Sequence, residues 1–187
     1  ARVIVSSRKL EAVNQVVESI IKKGGQAKAV ACHMGDTDDI ARLVDATIAA
    51  YGTVDIVVNN AAANPIFGSI AEADGSAFDK IMNVNVKGPF ELAKKSYPFM
   101  KQKKSGSIIN MGSTAGLFGD VGMLSYGSSK AALIFATKTM ATELGKYNIR
   151  VNVIAPSVTK TEMYDQMEIN ARIKLIESSA FKRAAEP

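Results

Sequence analysis

Apolar residues recur along this chain in two rhythms that take turns. Short β-branched runs predict strands over residues 2–6, 27–32, 54–58, 107–110 and 149–154. Between them, apolar positions return every three to four residues, the period of a helix with one buried face. Leu10, Val13, Val16, Val17, Ile20 and Ile21 predict a helix over 8–23, which Gly24-Gly25 ends. A second helix covers 36–50; its Asp-rich start suits the helix dipole, with Thr37 or Asp38 as cap and Gly52 past its end. A long helix over 77–101 is interrupted at Gly88-Pro89, because proline is awkward in a helix interior. Another begins after Gly122 and runs through Leu144, and the remainder, through Met163, Met167, Ile173, Leu175 and Ile176, is helical and amphipathic. Residues 54–58 are apolar almost throughout, which predicts burial on both faces.

Strands that alternate with helices of this length predict βαβ units. The expected fold class is α/β: a doubly wound parallel sheet in three layers, α/β/α, as one domain over 1–187. Ligands in such folds bind beyond the carboxyl ends of the strands, which points to residues 6–8, 32–35, 59–65, 111–113 and 155–161.

Composition narrows the class. Hydrophobic residues make up 47% and charged residues 22%, ordinary for a soluble globular protein, and no apolar run is long enough to span a bilayer. Cys32 is the single cysteine, which excludes an internal disulfide framework and a cysteine-based zinc cluster and fits a reducing compartment. An intracellular, soluble protein is expected, cytoplasmic before organellar, with no membrane partner and no metal. The net charge of +5 raises the question of nucleic acid. The lysines are dispersed apart from 101–104, Trp is absent, and no aromatic-basic interleaving occurs, so a surface that favours small anions is the better reading than nucleic acid.

The chemistry-bearing stretch runs from Ser113 to Lys130. Tyr126 and Lys130 are four residues apart on a predicted helix and so share a face. An ammonium beside a phenol favours phenolate, and the pair predicts a tyrosine whose pKa is lowered toward neutrality for acid-base work. Taken alone, such a pair is also an ordinary solvent-facing arrangement, and Ser113 alone reads as a turn or cap residue.

Further motifs stand in order around this pair: Asn59-Asn60-Ala61-Ala62, then Asn83-Val84-Asn85-Val86-Lys87-Gly88, then Ser113, thirteen residues before Tyr126-Gly127-Ser128-Ser129-Lys130, then Ile149 through Pro156. Together they resemble the short-chain dehydrogenase/reductase family, whose fold is of the Rossmann type. The resemblance implies an oxidoreductase that transfers a hydride between a nicotinamide dinucleotide and a small carbonyl or alcohol. Tyr126 would be the acid in reduction or the base in oxidation, Lys130 would tune it and hold the nicotinamide ribose, Ser113 would hold the substrate oxygen, and Asn85 would keep a water in the proton relay. The implied cofactor contacts are Ser7, Arg8, Lys9, His33, Met34, Asn60, Ala61, Ala62, Tyr126, Lys130, Pro156, Val158 and Thr161. Ser7 stands where members that use NAD carry a carboxylate, and with Arg8 and Lys9 following, NADP(H) is the expected cofactor. The features Cys32-His33-Met34-Gly35 and Asn64-Pro65-Ile66-Phe67-Gly68-Ser69 are similar to members that reduce ketones, dicarbonyls and retinoids.

The chain also departs from the pattern. The family's glycine-rich phosphate cradle between its first strand and helix is not found, so the expectation is a fold incomplete at both ends, starting at the second strand. A non-catalytic cofactor-binding or assembly subunit is the alternative that this raises. His33 replaces an acidic residue near the adenine and reads as an adenine-edge or surface contact; Ala62 and Ser157 stand where glycine is usual. The helices over 77–101 and 122–147 would form a dimer or tetramer interface, with Phe78, Ile81, Phe90, Leu133 and Phe135 as apolar content that core packing explains equally well. The variable wall of the substrate pocket is expected in 66–68, 117–124 and 159–167, with Met123, Met163 and Met167 as lining or as core.

Overall fold

The computed structural model describes residues 1–64, 68–119, 121–165, 168–179 and 181–186. Its strands are all parallel and fall into two sheets. β1 (Arg2–Ser7) pairs with β2 (Gln26–Ala31), and β4 (Gly106–Met111) lies between β3 (Ile56–Asn59) and β5 (Ile149–Ile154). Parallel pairing needs a crossover between strands. α1 (Leu10–Lys22), α2 (Thr37–Tyr51), α4 (Gly88–Lys103) and α5 (Leu124–Leu144) supply it, and α3 (Gly75–Met82) leads into α4. Strands alternate with helices throughout, and the fold is of the Rossmann type, α/β/α in three layers. α6 (Glu162–Asp165) and α7 (Ile169–Ser178) follow β5.

Local chemistry sets the element ends. Asp36, rather than Thr37 or Asp38, caps α2: its carboxylate accepts from the N–H groups of Asp38 (2.9 Å) and Asp39 (3.0 Å). The chain is still extended at Asp36, which leaves that side chain free to reach back to the first turn. Gly24 and Gly52 take left-handed φ values of 78° and 76° where α1 and α2 stop, a conformation that costs glycine nothing.

The long helix is broken earlier than Gly88-Pro89. After α3, residues Asn83–Lys87 form a π-turn, and the Gly88 N–H closes it by donating to the Asn83 carbonyl five residues back. The turn takes in one extra residue, so α4 restarts at Gly88 with Pro89 in its first turn, where a missing N–H costs little.

The main core lies under β3, β4 and β5, where Val57, Ile108 and Val151 meet Val44 of α2 and Ala93 and Met100 of α4. A second cluster, Cys32, Ile40 and Leu43, packs with Ile4 and Val30. Leu92 of α4 touches both, so the helical layer ties the two sheets together. The expectation that residues 54–58 are buried on both faces is not met. Val57 and Asn59 are buried, but Ile56 is 62% and Val58 56% exposed. Successive strand residues point to opposite faces, α2 and α4 cover one of them, and no described element covers Ile56 and Val58. The candidate interface residues divide as well: Ile81 and Leu133 are core, whereas Phe78, Phe90 and Phe135 are exposed.

Candidate active site

The registers Ser7↔Ala31, Asn59↔Asn110 and Met111↔Ile154 align the carboxyl ends within each sheet. Ser113 leaves β4 at this edge. Its hydroxyl accepts from the Ala115 N–H (3.2 Å) and opens a single 3₁₀ turn, Thr114–Gly116. Two glycines then let this turn lie directly on α5. A Cβ on Gly116 would sit 2.7 Å from the Ala131 nitrogen, and one on Gly127 2.8 Å from the Ala115 oxygen. That close approach brings the Ser113 hydroxyl beside the phenol of the half-buried Tyr126.

Lys130 lies one turn along α5, only 3% exposed. Its Nζ donates to the Met111 carbonyl (2.6 Å) and stands 5.5 Å from the centre of the Tyr126 ring. Burial strips the ammonium of water and lowers its pKa to about 8. The expected lowering of the tyrosine by this lysine is not what the geometry gives. Burial pushes the Tyr126 phenol above its ordinary value, and the neighbouring Ser113 hydroxyl only partly opposes it. The lysine is spent on a backbone carbonyl rather than on the phenol oxygen, so desolvation dominates.

Asn85, 1% exposed, sits inside the π-turn. Its Oδ1 accepts from the Ala63 N–H (2.7 Å), and its Nδ2 donates to the Ala63 carbonyl and the Ser129 hydroxyl (3.0 Å each). Ser129 in turn donates to the Tyr126 carbonyl (2.7 Å). Asn85 therefore joins the loop after β3 to the turn of α5 that carries the tyrosine. A second buried chain runs from Asn59 Nδ2 to Asn110 Oδ1 (2.8 Å), from Asn110 Nδ2 to Thr137 Oγ1 (2.9 Å), and on to the Leu133 carbonyl (2.7 Å). Ser129, Asn110 and Thr137 were not singled out from the sequence. Ser129 lay inside the Tyr126–Lys130 motif, but nothing in the spacing tells a bonded serine from a filler.

The other candidates lie around the same edge without converging on one point. Ser7, Arg8 and Lys9 are exposed at the end of β1, and neither cation is in an ion pair among the described residues. His33 and Met34 are half-buried; the His33 N–H donates to Asp39 Oδ2 (2.8 Å) and its Nδ1 accepts from the Gly35 N–H (3.1 Å). Asn60, Ala61 and Ala62 are exposed. The Pro156 carbonyl accepts from the Thr114 N–H (3.0 Å), which clips the loop after β5 to the loop after β4. Val158 gives its carbonyl to the Ala185 N–H (2.9 Å), and the Thr161 hydroxyl donates to the Thr159 carbonyl (3.5 Å).

A surface hollow of about 500 Å³ is lined by Ile70, Leu117, Phe118, Val121, Met123 and Leu124, beside Gly127 and Ala131 rather than Ser113 and Tyr126. Leu117, Phe118, Val121, Met123 and Leu124 belong to the stretch expected to form part of the substrate pocket's wall. Pro65, Ile66, Phe67, Met167 and the Met163 side chain lie outside what the structure describes.

The sequence model of one family, described as short chain dehydrogenase, matches residues 1–172. The chain belongs to the short-chain dehydrogenase family. It is 37% identical over 189 residues to dehydrogenase/reductase SDR family member 4 of Homo sapiens, covering 100% of this chain and 68% of that protein. It is 35% identical to tropinone reductase-like 3 of Erythroxylum coca, covering 98% of this chain and 70% of that one. Solved structures share the fold. A 7α-hydroxysteroid dehydrogenase complexed with NADH and 7-oxo glycochenodeoxycholic acid superposes with a TM-score of 0.94 at 32% identity, over 100% of this chain and 73% of that one. An NAD⁺-bound xylitol dehydrogenase gives 0.92 at 28% identity, over 98% and 76%. This is a family of oxidoreductases.

Proposed function

We propose that this chain, read as one domain over 1–187, carries the reacting groups of an NADP(H)-dependent oxidoreductase that interconverts a small carbonyl compound and its alcohol. The observation that carries this reading is the placing of Ser113 beside Tyr126, with buried Lys130 one turn away. A nicotinamide cofactor supplies or accepts the hydride when bound. Burial keeps the Tyr126 phenol protonated through the neutral range, so it is ready to give its proton to a carbonyl oxygen that gains charge. The Ser113 hydroxyl would donate to the same oxygen and fix its direction. Lys130, anchored on Met111, would hold the ribose, and Asn85 would keep the relay behind the tyrosine in place.

For the cofactor's far end, Ser7, Arg8 and Lys9 form an exposed donor set with no carboxylate among them, which suits a 2′-phosphate. His33 and Met34 would border the adenine, Asn60, Ala61 and Ala62 would line the sugar and phosphates, and Pro156, Val158 and Thr161 the nicotinamide end. The named solved relatives hold NAD⁺ and NADH, so the preference for NADP(H) rests on this chain's own residues. The exposed Phe90 and Phe135 support a homodimer or homotetramer built on α4 and α5.

The test mixes the full-length protein with NADPH or NADH and a panel of ketones, dicarbonyls and aldehydes. Hydride transfer from NADPH is expected. Tyr126→Phe should lower kcat by roughly 10²–10⁴-fold, and Arg8→Ala with Lys9→Ala should weaken NADPH by about tenfold while leaving NADH nearly unchanged. Absence of transfer from either cofactor, or unchanged turnover in Tyr126→Phe, defeats the reading.

A further inference from the structure

The π-turn touches two places at once. At its start the Asn83 Nδ2 donates to the Gly35 carbonyl (2.8 Å). Just past its end, Gly88 lies on the Met34 carbonyl so closely that a Cβ there would stand 2.3 Å from that oxygen. In an α-helix, residues five apart point well away from each other; the five-residue hydrogen bond from Gly88 to Asn83 stacks them on one side. That side faces the turn at 33–36. Asn85, between them, faces the loop at Ala63 and the Ser129 hydroxyl.

The turn at 33–36 has its own internal bonds. The His33 N–H is held by Asp39, the His33 Nδ1 accepts from the Gly35 N–H, and the Asp36 N–H donates to the His33 carbonyl (2.9 Å). Asn83 on the Gly35 carbonyl and Gly88 under Met34 set the turn against the π-turn, while the Met34 side chain also packs on Cys32, Ile40 and Leu43. A Cβ on Gly35 would stand 2.8 Å from His33 Cε1 and 2.9 Å from Asn83 Nδ2, so imidazole, glycine and amide form one tight stack.

We infer that Asn83 is a positioning residue that couples the adenine end of the dinucleotide site to the Asn85–Ser129–Tyr126 chain. It touches neither cofactor nor substrate. It ties the His33–Gly35 turn to the start of the five-residue segment that holds Asn85 at its middle. Closing the turn around a bound dinucleotide therefore steadies Asn85, and a loosened turn weakens cofactor binding and lowers turnover together. The inference rests on the proposed dinucleotide site at His33 and Met34.

The experiment uses the full-length protein with Asn83→Ala, Asn83→Asp and Gly35→Ala. Asn83→Asp keeps the shape, but its carboxylate has no hydrogen to offer the Gly35 carbonyl, so it serves if the alanine variant folds poorly. NADP⁺ affinity by calorimetry should fall about tenfold in either Asn83 variant, the worth of one hydrogen bond with its partner left unpaired. At saturating cofactor kcat should fall severalfold, while the KM for the carbonyl substrate stays within about twofold of wild type. Asn83→Ala and Gly35→Ala combined should cost less than the product of the single effects, because both loosen one contact. A lowered Tm with cofactor affinity and kcat unchanged makes Asn83 merely structural and overturns the inference, as do fully independent effects in the double variant. Wild-type protein that binds no dinucleotide instead overturns the functional reading beneath it.

Discussion

Lys130 carries its charge in a place that resists it. The ammonium is buried, and its one described hydrogen bond goes to the Met111 carbonyl. With the folded pKa lowered to about 8 and an unfolded lysine near 10.5, the unfolded chain binds more protons between those values. Stability therefore rises as pH climbs through that window, and below about 8 the full penalty remains. Lys130→Met should stabilise the folded protein at neutral pH by about 2 kcal/mol, after allowing for the lost hydrogen bond, while abolishing turnover. Its unfolding free energy should also lose the alkaline rise of the wild type. Urea titrations at neutral and alkaline pH check this, and an equal rise in the variant contradicts it. That Tyr126 and Lys130 share a helix face was legible from their spacing, because helix geometry is local, whereas grouping Ser113 with them rested on the resemblance to a family. The direction of the tyrosine's shift was not legible, because it depends on how much of the molecule closes over the phenol and on where the lysine points.

The π-turn is the element whose reading changed most. Proline at position 89 marked a junction, but a pattern of apolar residues cannot tell a kink from an added residue, since both shift the buried face. The close approach of Gly88 to Met34 can be tested apart from catalysis. Gly88→Ala drives a Cβ into a backbone oxygen and should cost about 1–3 kcal/mol. Gly75→Ala, in the first turn of α3 with nothing within 4 Å of a new Cβ, should be neutral or stabilising by up to about 1 kcal/mol. Thermal unfolding of the two variants separates them, and equal Tm values would show that α4 can slide off Met34. The cap at Asp36 teaches the same point more gently: Thr37 and Asp38 were the candidates, and backbone conformation gave the position to the residue before them.

Across the whole molecule, apolar residues that look alike in sequence have opposite fates. Leu133 is 2% exposed and Phe135, two residues on along α5, is 71% exposed. Leu133→Arg should unfold the protein. Phe135→Arg should leave it folded and, if α5 forms the proposed interface, shift it to a smaller species in light scattering. An unchanged mass with intact folding places the interface elsewhere. The α/β order, the parallel pairing and the strand-end edge follow from an alternating pattern together with the handedness of crossovers, and these were legible. The division into two sheets at the backbone level and the exposed Ile56 and Val58 were not visible in the β3 run itself, because an apolar strand reads the same whether one face or two are covered.

By itself, then, the chain's pattern determined the elements and their order, and its ordered motifs, through their resemblance to a family, singled out Asn85, Ser113, Tyr126 and Lys130 as candidates. Tertiary structure alone decided that Lys130 bonds Met111, that Asn85 grips Ala63 and Ser129, and that Asn83 holds the turn at Gly35. Those contacts join residues 19 to 48 positions apart, and only packing can bring such atoms within hydrogen-bond reach.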